Sequence, residues 1–302
     1  MQRILILLLF FSGTFASVEE ISLHSGGYER VYYLQKPVSV RKNTPIVIVL
    51  HGAGGKASHY LHAKGFSELA QKEGFILVVP EGLPSFPLIP ANFLLNPRVW
   101  NSGVLRIRKK RAQINDVDFL DAVIRDVRAR LSNARGPLFI AGHSNGASMA
   151  FRMAAQSQEP IRAIAPFASH SFETGIATRN NLGVFYLLGS EDPLVPLAGG
   201  ARKLPWRNSR QEVPPVQNTI IQWKNALECQ GLSEQVPSEI PDYEQTSYSC
   251  KRGNSFQVGL IRGHGHEFPG GRPSPLPESM IGNQRKDVPG AALIWNFFRS
   301  QL

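Results

Sequence analysis

Cysteine is almost absent from this chain: only Cys229 and Cys250 occur among its 302 residues. Neither stands in a C-x-x-C pair, which argues against a cysteine-based zinc site. One disulfide between them is expected if the chain enters an oxidising compartment, and two buried free thiols are the alternative. Closing that loop would contribute about 3 kcal/mol by restricting the unfolded chain. Long apolar runs are also missing. Ile4 to Phe11 is too short to span a bilayer, so no stable membrane insertion is expected. No internal repeat or low-complexity segment occurs. Acidic residues are in deficit, 23 against 33 Lys and Arg, for a formal net charge of +10. Part of the excess lies in Arg106-Ile107-Arg108-Lys109-Lys110-Arg111. That run has no interleaved aromatic residues to stack on bases, so a solvated loop is expected and a nucleic-acid partner is not.

What is present begins with a leader. Arg3 supplies a positive end, Ile4 to Phe11 an apolar core, and Thr14-Phe15-Ala16 a small-x-small cleavage site. Residues 1–16 therefore read as a signal peptide, and a secreted or periplasmic protein is expected. No cysteine follows the cleavage site, so lipid anchoring is not supported. With 42% hydrophobic residues, residues 17–302 suffice for one large core and are expected to form a single domain.

Ile46-Val47-Ile48-Val49-Leu50 is an unbroken, β-branched apolar run, the mark of a strand buried on both faces. Similar strands are expected at Phe75 to Val79, Leu138 to Ala141, Ile164 to Phe167, Val184 to Leu188 and Phe256 to Ile261. Helices are expected at Phe66 to Lys72, after Ala147, near Thr219 to Leu227 and at Ala291 to Phe298. Asp116 to Leu131 is the clearest helix, with Val117, Leu120, Ile124, Val127 and Leu131 on one stripe. Its acids at the start and arginines at the end complement the helix dipole, so Asp116 and Asp118 read as helix-start residues. The alternation predicts an α/β fold with a mostly parallel central sheet and helices on both faces.

Between the strand at Leu138 and the helix after Ala147 lies Gly142-His143-Ser144-Asn145-Gly146. Strand, G-x-S-x-G turn and helix together are the context of a nucleophile elbow. The glycines flank an apex too tight for side chains, and the helix N-terminus offers N–H groups to an oxyanion. A serine hydroxyl needs a base and a carboxylate that orients the base. Asp192, after the strand at Val184, is the candidate acid. His264 and His266, after the last strand, are the candidate bases. The order Ser, Asp, His is that of α/β-hydrolases. His51-Gly52-Ala53-Gly54 follows the first buried strand, where the backbone N–H of Ala53 would complete an oxyanion hole with that of Asn145.

These residues resemble the secreted esterases of the polyhydroxybutyrate depolymerase and feruloyl/acetylxylan esterase group. The likeness runs through Leu50 to Gly55, Pro80-Glu81-Gly82, Trp100-Asn101, Asp116 to Leu120, the elbow, Gly189 to Pro193, Val195-Pro196, Trp223 with Cys229, and Tyr248 with Cys250. It ends at Gly265-His266-Glu267-Phe268-Pro269-Gly270, similar to the group's Gly-His-x-Trp-Pro-Gly. The resemblance implies that Ser144 is the nucleophile, Asp192 the acid and His266, not His264, the base, with Cys229–Cys250 a disulfide. Phe268 departs from the usual tryptophan, and Ala147 stands where a further glycine is common.

An ester substrate is expected, hydrolysed through an acyl-enzyme with neither metal nor cofactor. It would be a polyester, a feruloylated or acetylated polysaccharide, or a small ester. Phe93, Trp100 and Phe268 are candidate substrate-lining residues, and the segment from Pro84 to Arg111 is the expected selector. Acyl transfer to an alcohol, and a non-catalytic surface or glycan-binding role on a hydrolase scaffold, are the alternatives.

Overall fold

A computed structural model describes residues 17–103, 109–131, 134–177, 179–203, 210–273 and 276–302. The leader at residues 1–16 and Arg106 to Arg108 lie outside them.

The chain opens with two strands, β1 (Val18–Ser25) and β2 (Tyr28–Gln35), then β3 (Ile46–Leu50), α1 (Ala57–Ala63), α2 (Phe66–Glu73) and β4 (Ile76–Pro80). A long loop leads to α3 (Lys109–Ala112) and α4 (Asp116–Arg130). Next come β5 (Leu138–His143), α5 (Asn145–Gln156), β6 (Ile161–Phe167) and β7 (Gly183–Gly189). A small hairpin of β8 (Gly200–Lys203) and β9 (Arg210–Val213) precedes α6 (Val216–Ala226). Three strands follow, β10 (Cys229–Val236), β11 (Tyr243–Cys250) and β12 (Ser255–Ile261), then α7 (Glu278–Ile281) and α8 (Gly290–Arg299).

Ten strands form one sheet in the order β1-β2-β4-β3-β5-β6-β7-β12-β11-β10. From β4 to β12 all neighbours are parallel, while the two outer strands at each edge pair antiparallel. The central strands β3, β4, β5 and β7 are buried at every position, which explains their unbroken apolar runs. Alternate residues feed two cores. Ile46, Ile48, Leu50 and Ile140 meet the stripe of α4 and the apolar face of α5. Val47, Val49, Phe139 and Ala141 meet α2 and α8, where Phe139 stacks on Phe298 at 4.7 Å.

The flanking strands carry little sequence signal. β1 (VEEISLHS) and β11 (YEQTSYSC) are polar and half-exposed, so neither carries a continuous apolar signature. The short elements α1, α3, α7, β8 and β9 are likewise additions to the expected set. Cys229 and Cys250 face each other across β10 and β11 and are joined as a disulfide.

One expectation is corrected. Arg111, assigned to a solvated basic loop, is fully buried. Its Nη2 donates to Asp116 Oδ2 at 2.5 Å, while Arg30 Nη2 donates to Asp116 Oδ1 at 3.0 Å. Asn115, not Asp116, caps α4 by accepting from Val117 N–H. Asp116 thus begins the helix as expected, but its carboxylate serves two buried guanidiniums instead of solvent.

Candidate active site

The carboxyl ends of the parallel strands bring Ser144, Asp192 and His266 together. Ser144 leaves β5 with φ 53° and ψ −119°, a sparsely populated conformation for a residue with a side chain. The turn closes only because its neighbours lack Cβ atoms. A Cβ on Gly142 would lie 2.2 Å from Gly146 O, and one on Gly146 would lie 2.4 Å from Leu50 O. His266 Nε2 is 2.8 Å from Ser144 Oγ, and His266 Nδ1 is 2.7 Å from Asp192 Oδ2. Asp192 Oδ1 accepts from Leu194 N–H at 2.8 Å and Val195 N–H at 3.0 Å. Burial pushes the Asp192 carboxyl upward, but His266 and these two N–H groups outweigh it and hold the pKa below the ordinary value.

The two competing histidines separate cleanly. His264 is fully buried; Arg285 N–H donates to its Nδ1 at 2.9 Å, so its Nε2–H donates to Glu267 O at 2.7 Å. It is a turn histidine with both nitrogens engaged. His266 alone reaches serine and aspartate.

The turn after β3 is held from below. Gly82 N–H donates to His51 Nε2 at 2.9 Å, so His51 Nδ1–H donates to Gly52 O at 2.8 Å. Gly55 N–H reaches the same oxygen at 3.0 Å. In a trans peptide the Ala53 N–H must then point the opposite way, away from His51. Burial lowers the His51 pKa to about 4, which keeps the ring neutral and this pattern intact. Trp100 clamps the other oxyanion candidate. Its N–H donates to Asn145 Oδ1 at 2.6 Å, and Asn145 Nδ2 donates to Trp100 O at 3.1 Å and Ser102 Oγ at 2.8 Å. Asn145 is the first residue of α5, so its N–H precedes the helical hydrogen-bond ladder.

A chain of hydrogen bonds with no local mark in the sequence runs beneath the three residues. Gly52 N–H donates to Tyr60 Oη at 3.1 Å. His143 Nε2 lies 2.7 Å from His266 O, so Nε2 must carry the proton. Its bare Nδ1 then accepts the Tyr60 hydroxyl proton at 2.5 Å. Burial, reinforced by His266, lowers the His143 pKa to about 3 and keeps the ring neutral. Beside it, Lys64 Nζ meets Glu267 Oε1 at 2.6 Å, nearly out of solvent. Burial pushes the Glu267 carboxyl up, but His143, Lys64 and the Phe268 N–H draw it down to about 2.

The lining candidates fare unevenly. Trp100 is 1% exposed, with its indole N–H donated to His51 O at 2.9 Å. Phe268 is 2% exposed and packs among Phe66, Phe167 and His143. Both support the site from inside and neither presents an open wall, because each ring is enclosed by interior partners. Phe93 alone keeps an exposed face, and its ring lies over Gly54, where a Cβ would come within 2.6 Å. Among the described residues no group of three His, Cys, Asp or Glu side chains is placed to hold a metal ion.

Sheet order, crossover helices and the positions of the three residues define the α/β-hydrolase fold. Solved structures of that architecture superpose on the chain. An acetyl xylan esterase from Aspergillus awamori matches with a TM-score of 0.57 and 16% identity over 86% of this chain and 96% of its own. An S-formylglutathione hydrolase from Agrobacterium tumefaciens gives 0.55 and 10%, over 93% and 94%. TT1662 from Thermus thermophilus gives 0.54 and 16%, over 94% and 98%. By sequence the chain is similar to NocK, an inferred esterase of Nocardia uniformis subsp. tsuyamanensis. They are 25% identical over 157 residues, 51% of this chain but only 42% of that protein's length. No family model matches the chain.

Proposed function

We propose that the chain is a serine esterase that hydrolyses carboxylic esters through an acyl-enzyme. The observation that carries this reading is the continuous line Asp192–His266–Ser144, with bonds of 2.7 and 2.8 Å at a strained elbow serine. In this mechanism His266 Nε2 takes the Ser144 Oγ proton as the oxygen attacks the ester carbonyl. Asp192 holds the resulting imidazolium, and the Ala53 and Asn145 N–H groups receive the oxyanion. His266 returns the proton to the leaving alcohol. It then activates the water that cleaves the acyl-serine bond.

The resemblance to depolymerases and feruloyl/acetylxylan esterases extends the proposal to a polyhydroxybutyrate-type polyester first and plant polysaccharide esters second. The half-buried Cys229–Cys250 disulfide and the leader support an extracytoplasmic location. The test is turnover of short p-nitrophenyl esters by the wild type and by Ser144→Ala, Asp192→Asn and His266→Ala. Ser144→Ala should lose about four orders of magnitude or more in kcat. Wild-type turnover by Ser144→Ala would refute the assignment. Release of product from polyhydroxybutyrate, feruloylated xylan or acetylxylan then ranks the substrates.

A further inference from the structure

A cleft of about 320 Å³ opens at the amino ends of β6 and β7, between those strands and the last turn of α5. Ser144 and Asp192 follow the carboxyl ends of β5 and β7, so the cleft lies at the other end of the sheet from the candidate active site. Its volume falls within the range of small-molecule sites, about 300–1,000 Å³. Two arginines line it, Arg162 and Arg179.

Neither arginine is paired with a carboxylate among the described residues. Arg162, the second residue of β6, donates from Nη1 to Asn181 O at 2.8 Å. Burial lowers its pKa, and no acidic group acts against that shift. Arg179 donates from Nη2 to Ala155 O in the last turn of α5, while its Nε is buried without a hydrogen-bond partner among the described residues. Glu159 is the one acidic side chain in the lining, and Arg125 and Arg128 already hold it, at 3.5 and 3.2 Å. Asp121 lies behind Ser157 and accepts from Ser157 Oγ and Gln158 N–H. Arg125, Arg128, Arg162 and Arg179 thus stand against Glu159 and Asp121 alone, and the surplus falls on the two arginines of the cleft. Much of the remaining lining is apolar, from Met153, Ala154, Pro160, Ile161 and Leu182.

We propose that this cleft binds a small aliphatic carboxylate, with Arg162 and Arg179 holding its oxygens and the apolar lining meeting its chain. The planar guanidinium presents paired N–H donors that match a carboxylate, and such charge-assisted bonds are the strong ones. A cation or a neutral ligand would leave both arginines without a counter-charge. Inorganic phosphate would satisfy them but would set polar oxygens against Met153, Ile161 and Leu182, where they find no donor. A short hydrocarbon chain behind a carboxylate fits both halves of the lining. The acid released from an ester belongs to this class, but binding here depends neither on Ser144 nor on which ester is cleaved.

Isothermal titration calorimetry with sodium butyrate, and separately with sodium phosphate, tests it on the full chain and on Ser144→Ala, Arg162→Gln and Asn180→Glu. Wild type and Ser144→Ala should bind butyrate alike, and more tightly than phosphate. Arg162→Gln should weaken butyrate binding about tenfold or more, because a hydrogen bond from a charged donor is lost. Asn180 lines the cleft and is exposed, so Asn180→Glu adds a repelling carboxylate without disturbing the core and should weaken binding as well. Wild-type circular dichroism shows that a variant is folded. Absence of butyrate binding by the wild type overturns the proposal. Wild-type affinity in folded Arg162→Gln does the same, or in Asn180→Glu should the first variant not fold. Loss of binding in Ser144→Ala would place the ligand at the candidate active site, and phosphate bound as tightly as butyrate would make the cleft a plain anion site; either result also overturns it.

Discussion

At the scale of single residues, the candidate site rests on buried side chains beneath Ser144 and His266. Tyr60 joins the candidate oxyanion turn to the proposed base: it accepts from Gly52 N–H and donates to His143, which donates to the His266 carbonyl. Tyr60→Phe removes the one hydroxyl that satisfies both Gly52 and His143. A displacement of the turn or base by a fraction of an ångström should lower kcat about ten- to a hundredfold. KM for a small ester should stay near the wild-type value, because Tyr60 and His143 are both buried beneath the candidate site. An equal loss in KM with kcat unchanged would show that the chain of bonds only shapes binding. Ser144, Asn145, Asp192 and Ala53 stand out as candidates in the sequence because each belongs to a short local pattern. Tyr60 does not, since its partner His143 lies 83 residues away and nothing local marks either as polar and paired. In the sequence only a resemblance separates His266 from His264 as the candidate base, and in the structure both ring nitrogens of His264 are engaged by Arg285 N–H and Glu267 O.

At the scale of elements, apolar runs identified the six parallel strands and the largest helix well, because burial on both faces leaves a compositional trace. The edge strands left none, and the hairpin register that sets Cys229 opposite Cys250 is a matter of pairing, not composition. Helix α4 shows the same limit. Its stripe was evident, yet the role of Asp116 needed Arg30 from β2 and Arg111 from α3. Asp116 also accepts from Asn101 N–H at 2.6 Å, which ties the ion cluster to the Trp100–Asn101 segment that clamps Asn145. Asp116→Asn should leave two guanidiniums buried without a counter-charge and destabilise the fold by about 3–5 kcal/mol. Urea unfolding checks this, and a change below 1 kcal/mol would mean that the cluster is solvated. The elbow tolerates less. Gly146→Ala would drive a methyl group against Leu50 O, and loss of soluble protein or of all esterase activity is expected.

At the scale of the whole molecule, three buried histidines set a pH limit. Burial lowers His143 to about 3, and His51 and His170 to about 4, from an ordinary 6.5. The unfolded chain therefore binds more protons than the folded one between about pH 6.5 and 4, so stability falls as pH drops through that window. Each histidine can contribute up to about 1.4 kcal/mol per pH unit there. Glu267, held near 2, adds its own loss only below the ordinary carboxylate range. Urea midpoints at pH 7 and pH 5 should differ clearly, and His143→Asn should reduce the difference. An unchanged midpoint would mean that these rings are protonated in the fold.

Ser144 is the group proposed to be acylated by the substrate. Peptide mapping by mass spectrometry after reaction with a fluorophosphonate tests it most directly. A single adduct is expected on the peptide containing Gly142-His143-Ser144-Asn145-Gly146, slowed strongly by His266→Ala and absent from Ser144→Ala. An adduct on any other residue, or labelling of Ser144→Ala at the wild-type rate, would contradict it.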